Sequence, residues 1–186
     1  MKQVVLIALG ANLPSHAGSP EQSLAEALNR FSENGFEEVN ASRFFRTPCF
    51  PPGAGPDYVN AAVTAHAEGT AASILERLHS IEAEFGRQRE QRWGQRSLDL
   101  DLIGMGEAVL PDVETYMRWR DLPPEAQRQE APGQLILPHP RLQDRAFVLV
   151  PLMDVAPDWL HPVLGLTVRE MVEALDPVSV EEVVGL

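Results

Sequence analysis

The chain is 186 residues long, 44% hydrophobic and 23% charged, which suits one globular domain that buries about 70% of its extended surface. Its single cysteine, Cys49, excludes an intrachain disulfide and a cysteine-built zinc cage, and fits a reducing, cytoplasmic setting. A formal charge of −12 excludes a uniform nucleic-acid binder, and no apolar run approaches the length of a membrane span.

In chain order, residues 4–9 form an apolar run that is read as a buried first strand and not as a leader, since it is short for one and no cleavage pattern follows. A turn-rich loop occupies residues 10–18. Ser19, Pro20 and Gln22 then open a helix as N-cap, first helical position and capping box, and Leu24, Ala27, Leu28 and Phe31 supply its apolar stripe up to Gly35. Residues 36–47 favour extended structure, 48–56 a proline-rich loop, and 58–67 a strand. Thr70 caps a second helix with a stripe of Ile74, Leu75, Leu78, Ile81 and Phe85, ending at Gly86. Residues 97–103 alternate as a strand. Residues 111–133 are polar and proline-bearing, with a short helix expected over 114–120. Late in the chain Thr167 and Glu170 form a capping box for a helix carrying Val168, Met171, Val172 and Leu175, which Pro177 is expected to stop.

The order β, α, β, β, α, β predicts an α+β, ferredoxin-like domain over residues 1–186, with a mainly antiparallel sheet and helices packed on it. The 48–57 loop is too short for a crossover helix, so the strands it joins are expected to be antiparallel.

The strand Ser97-Leu98-Asp99-Leu100-Asp101-Leu102-Ile103 carries the chemistry. Alternation sends the leucines to the core and sets Asp99 and Asp101 together on the other face, about 6.6 Å apart along the chain. Two such carboxylates repel unless a cation lies between them, and magnesium takes this kind of oxygen ligand together with phosphates and water. An amphipathic strand with one wet face is the plain alternative. All but one of the 15 basic residues are arginine, and Arg87, Arg89, Arg92 and Arg96 fall in one ten-residue loop directly before the aspartates. Guanidinium forks bind phosphate oxygens in a bidentate way; a solvated loop complementing the helix dipole is the alternative. Trp93 beside Gly94 suits either a lid or a structural packing site. Glu82 lies on the apolar stripe of the second helix and needs a partner, either as an orienting group or in an interior salt bridge.

Four segments together resemble 6-hydroxymethyl-7,8-dihydropterin pyrophosphokinase of folate biosynthesis. They are Leu9-Gly10-Ala11-Asn12-Leu13, Asp57-Tyr58-Val59-Asn60-Ala61-Ala62-Val63, residues 86–101, and Leu137-Pro138-His139-Pro140-Arg141 with Asp144-Arg145-Ala146-Phe147-Val148-Leu149. The Arg-Trp-Gly-x-Arg-x-x-Asp-x-Asp block is the most specific. The resemblance implies transfer of pyrophosphate from ATP to the pterin hydroxymethyl group by a cytoplasmic monomer, without nucleic-acid or membrane partners. It implies two magnesium ions on Asp99 and Asp101, a triphosphate organised by Arg87, Arg96, His139 and Arg145, and a catalytic loop carrying Arg92 and Trp93. It further implies a pterin ring between Tyr58 and Phe147, read by Asn60 and lined by Thr47. On their residues alone Tyr58 and Phe147 also suit a core, and His139 is an ordered loop residue with no proton-transfer role.

The chain departs from that pattern at Ala11, where serine is usual, at Cys49, and at Gln95, where proline is usual. It also carries an insertion around residues 111–132, open to reading as a flap near the nucleotide, a subunit contact or a disordered loop. A magnesium-dependent nucleotidyltransferase and a non-catalytic ferredoxin-like binding protein are the competing readings. The first would release pyrophosphate, and the second would bind without magnesium.

Overall fold

The computed structural model describes residues 2–49, 53, 55–86, 97–123, 125–126 and 130–186. The first strand, β1 (Lys2–Ala11), runs through the middle of the molecule, and Val5, Leu6 and Ile7 are buried on both faces. Helix α1 (Pro20–Glu33) starts with the expected capping box, in which the Ser19 amide donates to Gln22 Oε1 at 2.8 Å. The extended run after it divides into β2 (Phe36–Ala41) and β3 (Phe45–Thr47). The break is made by Ser42, whose amide donates to the Ala62 carbonyl while its hydroxyl accepts from the Ala62 amide, both at 2.9 Å. Strand β4 (Tyr58–Glu68), helix α2 (Ala71–Glu84) with its Thr70 cap, and β5 (Asp99–Met105) complete the ferredoxin-like unit.

The sheet order is β5-β1-β4-β3-β6, the last being the short C-terminal strand β6 (Val184–Gly185), with β2 also paired to β4, and every pairing is antiparallel. Odd-numbered residues of β1 and β4 face α1 and α2, where Leu24, Phe31, Ile74, Leu78 and Ile81 pack against Val5, Ile7, Ala61 and Val63, joined by Leu98, Leu100 and Leu102 from the β5 end. This is the two-layer arrangement that a half-apolar sheet and two amphipathic helices require.

The second face is not bare, which extends the expectation of helices packed on the sheet. A run of apolar residues unassigned by periodicity forms α4 (Ala146–Val155), preceded by the 3-10 turn Leu142–Asp144, and it packs with α5 (Val168–Glu173) on Leu6, Ala62 and Ile103. Arg43, in the β2–β3 break, holds this layer down through a two-pronged ion pair with Asp154, both bonds 2.9 Å. The α5 capping box is as expected, but the helix ends at Glu173. Pro177 does not stop it: it opens a further helix, α6 (Pro177–Glu181), since proline is well suited to a first helical position. The chain then adds a short strand, β6 (Val184–Gly185), beside β3.

The insertion is not a structureless loop over its described residues. Leu110 and Leu137 exchange both backbone hydrogen bonds and close its base, and helix α3 (Val113–Arg120) lies within it. Tyr116, fully buried, bonds His161 Nε2 at 2.9 Å and ties α3 to the C-terminal segment. No helix among the described residues is long and apolar enough to cross a membrane.

Candidate active site

The layer formed by α4 and α5 covers only part of the second sheet face. The even residues at the other end of β1 and β4 and the aspartates of β5 form a floor beyond it, with Gly10 and Asn60 buried and Asp99 and Asp101 half-buried. Register makes this floor a set of rows. Asp99 pairs with Gly10, Gly10 with Asn60, and Asn60 with Phe45; one step along, Asp101 pairs with Ala8 and Ala8 with Ala62. Both aspartates are half-buried, whereas Leu98, Leu100 and Leu102 lie in the core, so the alternation read from the sequence holds.

Small residues on β1 leave the floor flat between the acidic strand and Asn60. A Cβ on Gly10 would stand 3.2 Å from Asn60 Oδ1. Asn60 is buried and held by its Nδ2, which donates to Thr47 Oγ1 at 2.7 Å. That leaves the amide oxygen, aimed along the row, to accept from a ligand. Tyr58 lies on the same face as Asn60, two residues before it, opposite Thr47. Phe147 projects from the first turn of α4 and is 41% exposed, an uncommon position for an aromatic ring unless something covers it. Its neighbour Ala146 packs with Phe45, which fixes α4 at the Asn60 end of the floor.

The outer edge of β5 is held at two points. Glu82, 1% exposed on α2, accepts from the Leu100 amide at 2.7 Å, and the His139 amide donates to the Ile103 carbonyl at 2.8 Å. The second contact seats the Pro-His-Pro segment against the acidic strand. His139 Nδ1 accepts from the Arg141 amide at 3.1 Å, so the neutral ring carries its proton on Nε2. Desolvation, reinforced by the positive charges of Arg145 and Arg141, pushes the imidazole down to about 3, with Asp99 acting in the opposite direction. His139 is therefore a neutral donor, not a base. Its Nε2 lies 3.5 Å from Arg145 Nη1, so the two groups stand side by side where one oxyanion would accept from both. The Arg145 guanidinium also lies over the Phe147 ring, 5.7 Å from its centre, and so links the histidine to the aromatic end of the floor.

The structure thus gathers Thr47, Tyr58, Asn60, Asp99, Asp101, His139, Arg145 and Phe147 around one sheet face. Arg87, Arg92, Trp93 and Arg96 lie outside the described residues. A family model for 7,8-dihydro-6-hydroxymethylpterin-pyrophosphokinase matches residues 6–157. The chain belongs to that pyrophosphokinase family. It is 34% identical over 175 residues to a 2-amino-4-hydroxy-6-hydroxymethyldihydropteridine pyrophosphokinase of Synechocystis, covering 94% of this chain and 77% of the relative. A protein of the same name from Methylorubrum extorquens is 36% identical over 172 residues, covering 92% of this chain and 95% of its own length. The crystal structure of wild-type Plasmodium falciparum HPPK-DHPS superposes on 94% of this chain with a TM-score of 0.63 at 14% identity, a likeness of fold. The chain spans 45% of that longer protein. The reaction of the pyrophosphokinase family is pyrophosphate transfer to hydroxymethyldihydropterin in folate biosynthesis.

The chemistry of the acidic pair fits a divalent cation. Asp99 and Asp101 offer hard oxygen donors on one face, open enough to share a cation with phosphates. Two contributors escaped the sequence reading, and a third was read only in part. Gly10 acts through the side chain it lacks. Phe45 sits in the Asn60 row only by register. Glu82 was singled out as a buried carboxylate, but its backbone partner, eighteen residues away, leaves no mark in the sequence.

Proposed function

We propose that this chain transfers the pyrophosphoryl group of ATP to the hydroxymethyl oxygen of 6-hydroxymethyl-7,8-dihydropterin, releasing AMP and the pterin diphosphate, with magnesium as the cation. The observation that carries the reading is the row Asp99–Gly10–Asn60. It sets a pair of oxygen donors two strand spacings, roughly 10 Å, from an amide suited to a heterocycle edge.

In this reading Asn60, braced by Thr47, meets the donor and acceptor edge of the pterin, and Tyr58 and Phe147 flank its ring faces. His139 Nε2–H and Arg145 hold phosphate oxygens, joined by Arg87 and Arg96, while Arg92 and Trp93 belong to the loop that closes over the nucleotide. Asp99 and Asp101 would hold two magnesium ions, which when bound would neutralise phosphate charge and draw both substrates together. The pterin hydroxyl oxygen bonds to the β-phosphorus and gives up its proton to solvent as the bond from that phosphorus to the α-phosphate oxygen breaks, and AMP leaves with the electron pair. Little covalent work is asked of the protein; positioning and charge neutralisation carry the step. The lone cysteine suits a reducing compartment, and the same proposal takes the enzyme as a cytoplasmic monomer.

The test is nucleotide product analysis after incubation with ATP, magnesium and 6-hydroxymethyl-7,8-dihydropterin. Pterin-dependent AMP without ADP, lost on chelation, is the expected result. Release of pyrophosphate, or ATP left unconsumed by folded protein, would overturn the reading.

A further inference from the structure

Beside the acidic floor, past the Pro-His-Pro segment, lies a cavity of about 590 Å³, within the range of sites that hold small organic ligands. Leu75 of α2, Leu135, Ile136 and Pro140 give it mostly apolar walls, and His139, Arg141 and Glu130 are its ionisable lining. The far wall comes from the insertion. Trp119, in the last turn of α3, lines the cavity and is only half-buried. It is therefore a large flat ring with an uncovered portion on the wall of a cavity that His139 also lines.

The insertion is built to hold that ring in place. Its base is closed by the Leu110–Leu137 bridge, and Tyr116, one turn before Trp119, is locked into the C-terminal segment by His161. The lock is firm at both rings. His161 Nδ1 accepts from the Val163 and Leu164 amides, each at 3.2 Å, so its Nε2 proton is available to the Tyr116 oxygen. The Trp159 ring then packs on His161, with centres 5.7 Å apart. A buried anchor at residue 116 with a part-exposed tryptophan three residues later presents one aromatic face rigidly to the cavity, on the helix flank adjoining the anchor.

We propose that the insertion is part of the nucleotide site, and that Trp119 stacks on the base of the nucleotide whose phosphates lie against His139 and Arg145. Trp119 is then an affinity-determining residue supplied by a segment outside the ferredoxin-like core. This rests on the reading of ATP as the donor. The apolar walls take a flat heterocycle. Of the polar lining, His139 and Arg141 suit phosphates and Glu130 does not, and the His139 amide bond to Ile103 sets the histidine against the acidic strand.

The experiment uses the full chain, with binding of a non-hydrolysable ATP analogue and magnesium followed by titration calorimetry, and KM and kcat measured for both substrates. Trp119→Ala is expected to weaken nucleotide binding by about 10- to 100-fold and to raise the KM for ATP correspondingly, as loss of a base–aromatic stack does. Turnover at saturation and the KM for the pterin should stay close to wild type. Trp119→Phe should restore most of the affinity, which a merely structural effect of side-chain volume in α3 would not tie to the nucleotide alone. If Trp119→Ala unfolds, Trp119→Gln against Trp119→Phe gives the same contrast on folded protein. A wild-type enzyme that forms AMP, paired with a Trp119→Ala or Trp119→Gln variant of unchanged ATP affinity, overturns the role of Trp119 and leaves the reaction standing. A wild-type protein that binds no nucleotide overturns both.

Discussion

The Glu82 carboxylate accepts a 2.7 Å hydrogen bond from the Leu100 amide, the residue between Asp99 and Asp101. Strand β5 lies at the edge of the sheet, so this amide has no neighbouring strand to bond. Without Glu82 it would be a buried donor facing an apolar helix. Glu82→Ala should therefore cost about 1–3 kcal/mol of stability, read by denaturant unfolding. It should also lower kcat more than it raises the KM for the pterin, because the spacing of the two aspartates is no longer pinned. Glu82→Gln, which keeps an acceptor oxygen, should recover most of the lost stability. A Glu82→Ala enzyme with unaltered stability would show that the bond carries no load.

Removing either aspartate separates folding from chemistry. Asp99→Asn and Asp101→Asn each delete a charge from a like-charged pair, so the melting temperature should hold or rise slightly. Magnesium-dependent AMP formation should fall by about 100-fold or more, the scale seen when a group that stabilises transition-state charge is lost. Near wild-type turnover in either variant would remove that aspartate from the cation site.

Gly10 tests the flat floor. Its Cβ would come within 3.2 Å of Asn60 Oδ1, and Asn60 cannot yield without straining its bond to Thr47. Gly10→Ala should fold with a loss of about 1–3 kcal/mol, the usual cost of a methyl pressed into a packed place. Its main effect should be a raised KM for the pterin with the KM for ATP little changed. Equal changes in both would mean that the glycine serves the sheet and not the pocket.

His161 makes a pH prediction. Desolvation lowers its imidazole from 6.5 to about 4. As pH falls through this interval the unfolded chain takes up a proton that the folded chain refuses, so stability declines from about 6.5 down to about 4 and this contribution levels off below. His139, held down to about 3, adds a slope of the same sign. Melting temperature followed against pH should thus be flatter in His161→Gln than in wild type, though not level. Parallel curves would mean that the ring is not held neutral by its burial.

Much of this architecture was legible along the chain. The capping boxes at Ser19 and Thr167, the stripes of α1 and α2, and the alternation that splits Leu98, Leu100 and Leu102 from Asp99 and Asp101 are all as read. The short helix of the insertion was expected at residues 114–120 and found at Val113–Arg120. Helix α4 was illegible because it is apolar almost throughout and carries Pro151, so neither a stripe nor an uninterrupted helical run marks it. The break of the 36–47 run was equally hidden, since Ser42 turns the chain by bonding Ala62, twenty residues away.

Neighbouring residues were enough to mark the main strands and helices of the ferredoxin-like unit, the two carboxylates on one strand face, and the family to which the motifs belong. Those features depend on residues within a few positions of one another, where a period of two or of 3.6 and a capping side chain are enough. That Asp99 and Asn60 lie in one row with Gly10 between them is a matter of strand register. Only the tertiary structure decided that Glu82 and the His139 amide secure the edge of the acidic strand, and that Trp119 faces a cavity next to His139. Strand register and helix docking are set by packing between residues tens of positions apart, and a one-residue slip would exchange every face. Periodicity along the chain holds no record of that choice.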